Sequence, residues 1–235
     1  MYEVSHNMKQ IHITLSSKTP VPYDYQYELY SSFQSKIGGS FPQISRCIHE
    51  SKGVPLLNMS ALLPIGFEGR PSWPNARSFA LYINTTRNDV AEAFLSSLPV
   101  GFALALNSCM LTVISIKVAE LSFDRVTVLP ELKSRGPIVV RENNRYFRVG
   151  DVGFEGCLIS ALKRKADIIT GKNTVVRGLK IVTEHRKMYS ISGHSIPASI
   201  ISFILDADED VIRTALVYGV GSKTQMGFGM VTCRD

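Results

Sequence analysis

The chain has no CxxC pair, and its four cysteines, Cys47, Cys109, Cys157 and Cys233, are scattered with none at metal-ligand spacing from a histidine. That excludes a zinc ribbon or a disulfide framework and leaves the thiols as reduced, buried small hydrophobes. No run of about 18 apolar residues occurs, and the opening MYEVSHNMKQ has no apolar signal core. The expectation is a soluble, cytoplasmic protein with no membrane partner. Two phosphate-binding fingerprints are also missing. In GVGSKTQMGFGM (219–230), a dinucleotide-binding GxGxxG would need glycine at Thr224, and Gly221 is followed by Ser222 before Lys223 rather than by a P-loop GK. In ITGKNT, Ala166 stands where the first P-loop glycine belongs. A nicotinamide enzyme and an NTPase are thereby excluded, and no cofactor or metal is expected.

What is present is 235 residues, 45% hydrophobic, enough to bury a core as one large domain or two of ordinary size. The net charge of +6 is regional: residues 121–187 carry 14 Lys and Arg against 7 Asp and Glu, and the remainder 12 against 13. Clustered cations suit a polyanionic partner, because they displace the counterions condensed on phosphates. A solvated basic face would look the same in the sequence.

Periodicity orders the elements. MKQIHITLSS alternates as a strand; a helix from Pro22 follows, with Tyr23, Tyr27, Tyr30 and Gln34 at helical spacing, until Gly38 and Gly39 end it. A short helix over 43–49, strands at LLNMSALLP and SFALYINTT, a helix at NDVAEAFLSSL capped by Asn88 or Asp89, and a strand at CMLTVISIKVAE complete the first half. The second half, less regular at its start, offers a hairpin turning at Asn143-Asn144, the basic helix GFEGCLISALKRKADIITG, strands VVRGLKIVT and PASIISFILDA, the helix DEDVIRTALVYG and a closing strand GMVTC. The prediction is an α+β protein of two tandem ferredoxin-like βαββαβ domains, the arrangement RNA-recognition domains also use, over 1–119 and 120–235.

The terminal GVGSKTQMGFGM, placed after a helix, resembles the G-x-G-x5-G-F-G loop of CRISPR-associated precursor-RNA-processing endoribonucleases of the Cas-six type, in the RAMP superfamily. VPYDYQYELYSSF, ISRCIHESKG, GPIVVRENNRYF, ALKRKADIITGK and the closing GMV agree in order, so the resemblance spans nearly the whole chain. It implies CRISPR repeat RNA as partner, allows an effector complex and a homodimer, and implies cleavage without metal by 2′-hydroxyl attack, leaving a 2′,3′-cyclic phosphate and a 5′-hydroxyl. A non-catalytic protein that retains the RNA shares the same fold and charge.

Among the five histidines, the resemblance makes His49 the catalytic candidate. The family's tyrosine and lysine positions hold Gln34 and Pro55 here, so Tyr30, one turn before Gln34, and Lys52, just after His49, are the substitute donors. Lys163, Arg164, Lys165, Lys172, Arg177 and Lys180 are candidates for the RNA backbone; consecutive cations on a helix diverge, so two of Lys163, Arg164 and Lys165 are expected on the RNA side. Gly219, Gly221, Gly227 and Gly229 can admit close backbone approach to phosphates, with Lys223 adding a charge and Phe228 packing in the core.

Overall fold

The computed structural model describes residues 7–51, 53–66, 76–122, 129–191 and 193–234. Strand β1 (Asn7–Ser17) buries Ile11, Ile13 and Leu15 on one face and turns His12 and Thr14 to the other. Helix α1 (Gln26–Ser40) lays Leu29, Phe33 and Ile37 against that buried face. Gly38 and Gly39, expected to stop this helix, lie inside it. The break falls at Phe41 (φ −134°, ψ 64°), and Pro42, whose ring presets a helical φ, opens α2 (Pro42–Glu50). A Cβ on Gly38 would sit 3.4 Å from Ser45 Oγ, so glycine keeps the α1–α2 elbow tight.

Strands β2 (Asn58–Met59), β3 (Leu63–Pro64) and β4 (Ser78–Thr85), helix α3 (Asn88–Ser97) and strands β5 (Ala103–Ala105) and β6 (Met110–Ser122) complete the first half. The antiparallel sheet runs β2-β4-β1-β6-β5, with β3 also on β4. Strand β5, absent from the sequence reading, forms a short hairpin with β6. The cap position of α3 is Arg87 rather than Asn88 or Asp89; the Asp89 carboxylate instead pairs with Arg87 and accepts from Val90 N.

The second half contains β7 (Glu131–Ser134), the hairpin β8 (Val140–Glu142) and β9 (Arg145–Phe147), helix α4 (Phe154–Thr170), the long β10 (Val176–Ile191) and β11 (His194–Ala207), helix α5 (Glu209–Tyr218) and β12 (Val231–Cys233). Asn143 and Asn144 have φ of 46° and 65°, the positive values a two-residue hairpin turn requires. This sheet runs β10-β11-β7-β12. In each half the first strand lies between the third and the last, with the second outside the third: the fold is a tandem ferredoxin-like α+β pair.

Each sheet has its own core, and a smaller cluster, Met8, Val54, Ile169, Val217 and Tyr218, joins the halves. Strand β6 passes residue 120 and still pairs Ser122 with Asn7, so we propose that the division between the units follows Ser122. The four cysteines are thiols, but Cys47 and Cys233 are exposed rather than buried. Among the described residues no helix is long and apolar enough to cross a membrane.

Candidate active site

Helix α2 buries Ile48 and leaves the neighbouring His49 exposed on its last turn. His49 lines a cleft of about 850 Å³ whose other walls come from α1 (Tyr27, Tyr30), α4 (Arg164, Lys165), the tip of the β10–β11 hairpin (His194) and the loop after α5 (Lys223). The halves therefore meet at this cavity. No Asp or Glu is among its described lining residues, while Arg164, Lys165 and Lys223 are. Such a site favours an anion. Tyr30 is half-buried, and burial raises its phenol above the ordinary range, opposed by a hydrogen bond with Gln34. Gln34 thus supports Tyr30 from the position where the resemblance expected a tyrosine. Lys52 lies outside the described residues. Among those described, no group of three His, Cys, Asp or Glu is placed to hold a metal ion.

The glycine loop reaches across to the histidine's helix. Gln225 Nε2 donates to Ser51 Oγ (2.6 Å), and Ser51 Oγ donates to Ile48 O (2.9 Å), satisfying one of the last carbonyls of α2 next to His49. Lys223 and Gly227 bracket a single 3₁₀ turn, Thr224–Met226, and both have positive φ (61° and 86°). Positive φ at a lysine is costly and occurs here where its side chain enters the cleft. Burial, with the Arg141 charge second, lowers the Lys223 ammonium below its usual range.

The four loop glycines are explained by protein rather than by open approach. All have positive φ. A Cβ on Gly229 would overlap the Val220 carbonyl oxygen and one on Gly221 that of Val139; at Gly219 it would lie 2.8 Å from Asn58 Oδ1, and at Gly227 3.2 Å from Ser60 O. Asn58 and Ser60 belong to the first half, so these glycines let the loop press against it. Of the four, only Gly221 lines the cleft. We propose from these contacts that Gly219, Gly227 and Gly229 set the loop against the protein rather than touch RNA. Phe228 is fully buried against Val139, Tyr189 and Ile196, as expected.

The candidate cations separate in the same way. On α4, Lys163 Nζ is held by Asp167 (2.6 Å) and Asn173 (2.7 Å), Arg164 opens into the cleft, and Lys165 turns inward. Only 6% of Lys165 is exposed; its ammonium donates to Gly219 O (2.7 Å) and Tyr218 O (3.3 Å), closing the C-terminal end of α5. Burial lowers it from 10.5 to about 7. Lys165 is therefore a structural brace at the cleft wall, not a member of an exposed basic face. Lys172 pairs with Asp210, and Arg177 with Asp206 and Asp208, whose hydrogen bonds first, and charges second, raise the guanidinium further. Lys180 lies between Leu179 and Ile181, which pack on the second core, so alternation sends it to the opposite face of the sheet from α4. The expected continuous basic face is thus divided, with Arg164 and Lys223 left at the cleft. His194, at the turn of a hairpin whose strands of 16 and 14 residues reach beyond the stretches 175–183 and 197–207 with strand pattern, carried no local signal; it reaches the cleft through tertiary packing.

Residues 20–117 match the family model described as CRISPR-associated protein Cas6, N-terminal, and residues 124–233 match that of CRISPR associated protein Cas6, C-terminal. Among solved structures the chain is similar to an RAMP protein binding different RNA substrates, at 20% identity over 97% of this chain and 100% of that one, with a TM-score of 0.81. It is also similar to the product of a Cas6-related gene from Pyrococcus furiosus (19% identity, 97% and 99% covered, TM-score 0.78) and to a Cas6 product complex (15%, 97% and 100%, 0.68). No curated protein sequence matches the chain. At these identities the structural likeness establishes the shared tandem fold.

Proposed function

Because its two halves match the N- and C-terminal models of one family in order, the chain belongs to the Cas6 family, and from this premise we propose that it binds CRISPR repeat RNA and cuts precursor crRNA as a metal-independent endoribonuclease. The observation that carries the reading is the interdomain cleft, where His49 shares walls with Arg164 and Lys223 and no described carboxylate intrudes. In the reaction the 2′-hydroxyl loses its proton and its oxygen bonds to the adjacent phosphorus. The bond from phosphorus to the 5′-oxygen breaks, and that oxygen gains a proton. His49 performs one of these proton transfers, since imidazole exchanges a proton near neutrality. Arg164 and Lys223 contact phosphate oxygens and stabilise the charge that grows on the phosphorane.

A second reading, a non-catalytic RNA-retaining protein, draws on Gln34 and Pro55 at the positions where the resemblance expects a tyrosine and a lysine. One assay separates them. Repeat RNA incubated with EDTA-treated protein should be cut at one site, leaving a 2′,3′-cyclic phosphate and a 5′-hydroxyl. Tight binding with no cut selects the retaining protein, and cleavage that needs an added divalent ion contradicts the metal-independent chemistry.

A further inference from the structure

The reaction needs two proton transfers, and His49 accounts for one. Resting on the endoribonuclease reading, we propose that His194 performs the other, so that each half of the chain contributes one histidine to the cleft. Of the histidines described, His12 stacks on Tyr82 (ring centroids 4.7 Å apart) with its Nε2 buried, and neither it nor His185 is among the cleft's lining residues; His49 and His194 are. Both are exposed, so neither imidazole is consumed by the core.

The hairpin that carries His194 is seated firmly. Tyr189 stacks on Tyr23 just before α1 (5.2 Å, 13° between planes), their hydroxyls lie 3.2 Å apart, and its other side meets the edge of Phe228 (5.6 Å). Ile191 and Ile196, flanking the turn, are buried. Gly193 supplies the positive φ (78°) that reverses the chain immediately before His194. A histidine on a floating hairpin tip could not hold a proton-transfer geometry; this tip is anchored on both sides.

The titratable and charged groups facing His194 across the cleft are Tyr27 and Tyr30 of α1, His49 of α2, Tyr146 of β9, Arg164 and Lys165 of α4, and Lys223. Asp24 and Glu28 lie on the other side of the hairpin tip, in the neighbouring cavity with Gly193. Lys165 is committed to the α5 carbonyls, and the Tyr30 phenol, raised by burial, is a poor base near neutrality. The two histidines are the pair suited to exchanging protons there. One takes the 2′-hydroxyl proton while the other gives a proton to the departing 5′-oxygen, so the protein ends with the same number of protons it began with.

The test is single-turnover cleavage of repeat RNA in EDTA by the wild type, His49→Ala, His194→Ala and His194→Gln, from about pH 5 to about pH 9. The wild type should give a bell-shaped profile. Both His194 variants should cut about 100-fold more slowly with affinity nearly unchanged, and each should lose one limb of the bell. Loss of the acidic limb makes His194 the base; loss of the alkaline limb makes it the acid. A His49→Ala/His194→Ala double variant should be far less impaired than the product of the single losses, because the two act as a unit. If the wild type cuts and His194→Ala cuts equally fast with an intact bell, the role of His194 is overturned while the endoribonuclease reading stands. Binding lost in proportion to rate would make His194 an RNA contact and overturn it too. If the wild type does not cut, the parent reading falls and this inference with it.

Discussion

Both sheets place their first strand between the third and the last, yet the strands that close them differ greatly. In the first half, β1 and β6 are 11 and 13 residues long; in the second, β7 and β12 have only four and three. The second sheet is completed by loop backbone instead: Val220 N donates to Gly229 O (2.8 Å), Gly229 N to Pro137 O (2.9 Å) and Ser222 N to Val139 O (2.7 Å). The half bearing most of the positive charge therefore depends on a loop, and that loop also holds the end of α2 through Gln225 and Ser51. Stability of the second half and placement of the first half's histidine are consequently linked in one segment.

The strongest way to break this asymmetry is Gly229→Val. Positive φ and overlap with the Val220 carbonyl should cost about 3 kcal/mol or more, seen as a large fall in the thermal or urea midpoint. RNA binding should decline only as the folded fraction does. An unchanged melting curve with lost binding would instead return the glycine to the RNA interface.

Lys165 sharpens the comparison through pH. Its folded value, lowered by burial to about 7 against 10.5, means that the folded chain binds fewer protons than the unfolded chain between those limits. Stability should accordingly rise with pH through that window, by up to about 1.4 kcal/mol per unit, and the burial cost should be fully present below about pH 7. Lys165→Met should remove this contribution, read as the difference between the two proteins' urea-derived stabilities across the window. Parallel curves would place the ammonium in contact with water.

A smaller effect separates neighbours on α4. Arg164→Ala should reduce the slope of log affinity against log salt by about 0.7 to 0.9, the amount for one phosphate contact. Lys163→Ala should change it little, since that ammonium is already occupied by Asp167 and Asn173. Equal changes would contradict the division of the basic face.

The alternating β1, the α4 and α5 helices, the Asn143-Asn144 turn and the order of the first half were legible because each has local periodicity or turn chemistry. Strand β7 was not, since four residues with Leu132 and Ser134 turned inward give no pattern to count. The outer part of strand β10 shows no strand pattern because its exposed Glu184, His185 and Arg186 extend beyond the sheet core, where alternation with apolar residues fades. Sequence placed Lys163, Arg164 and Lys165 together, but only the fold could assign one to an ion pair, one to the cleft and one to helix carbonyls. His49 was reached through resemblance to a family motif. His194 required knowing where a distant hairpin tip comes to rest.

Proton-transfer chemistry on bound RNA in this cleft, built from both halves, is probed by His49→Ala in single-turnover cleavage of repeat RNA, with affinity measured in parallel. The rate should fall by about 100-fold or more with little change in affinity. Full cleavage by EDTA-treated His49→Ala would contradict that chemistry.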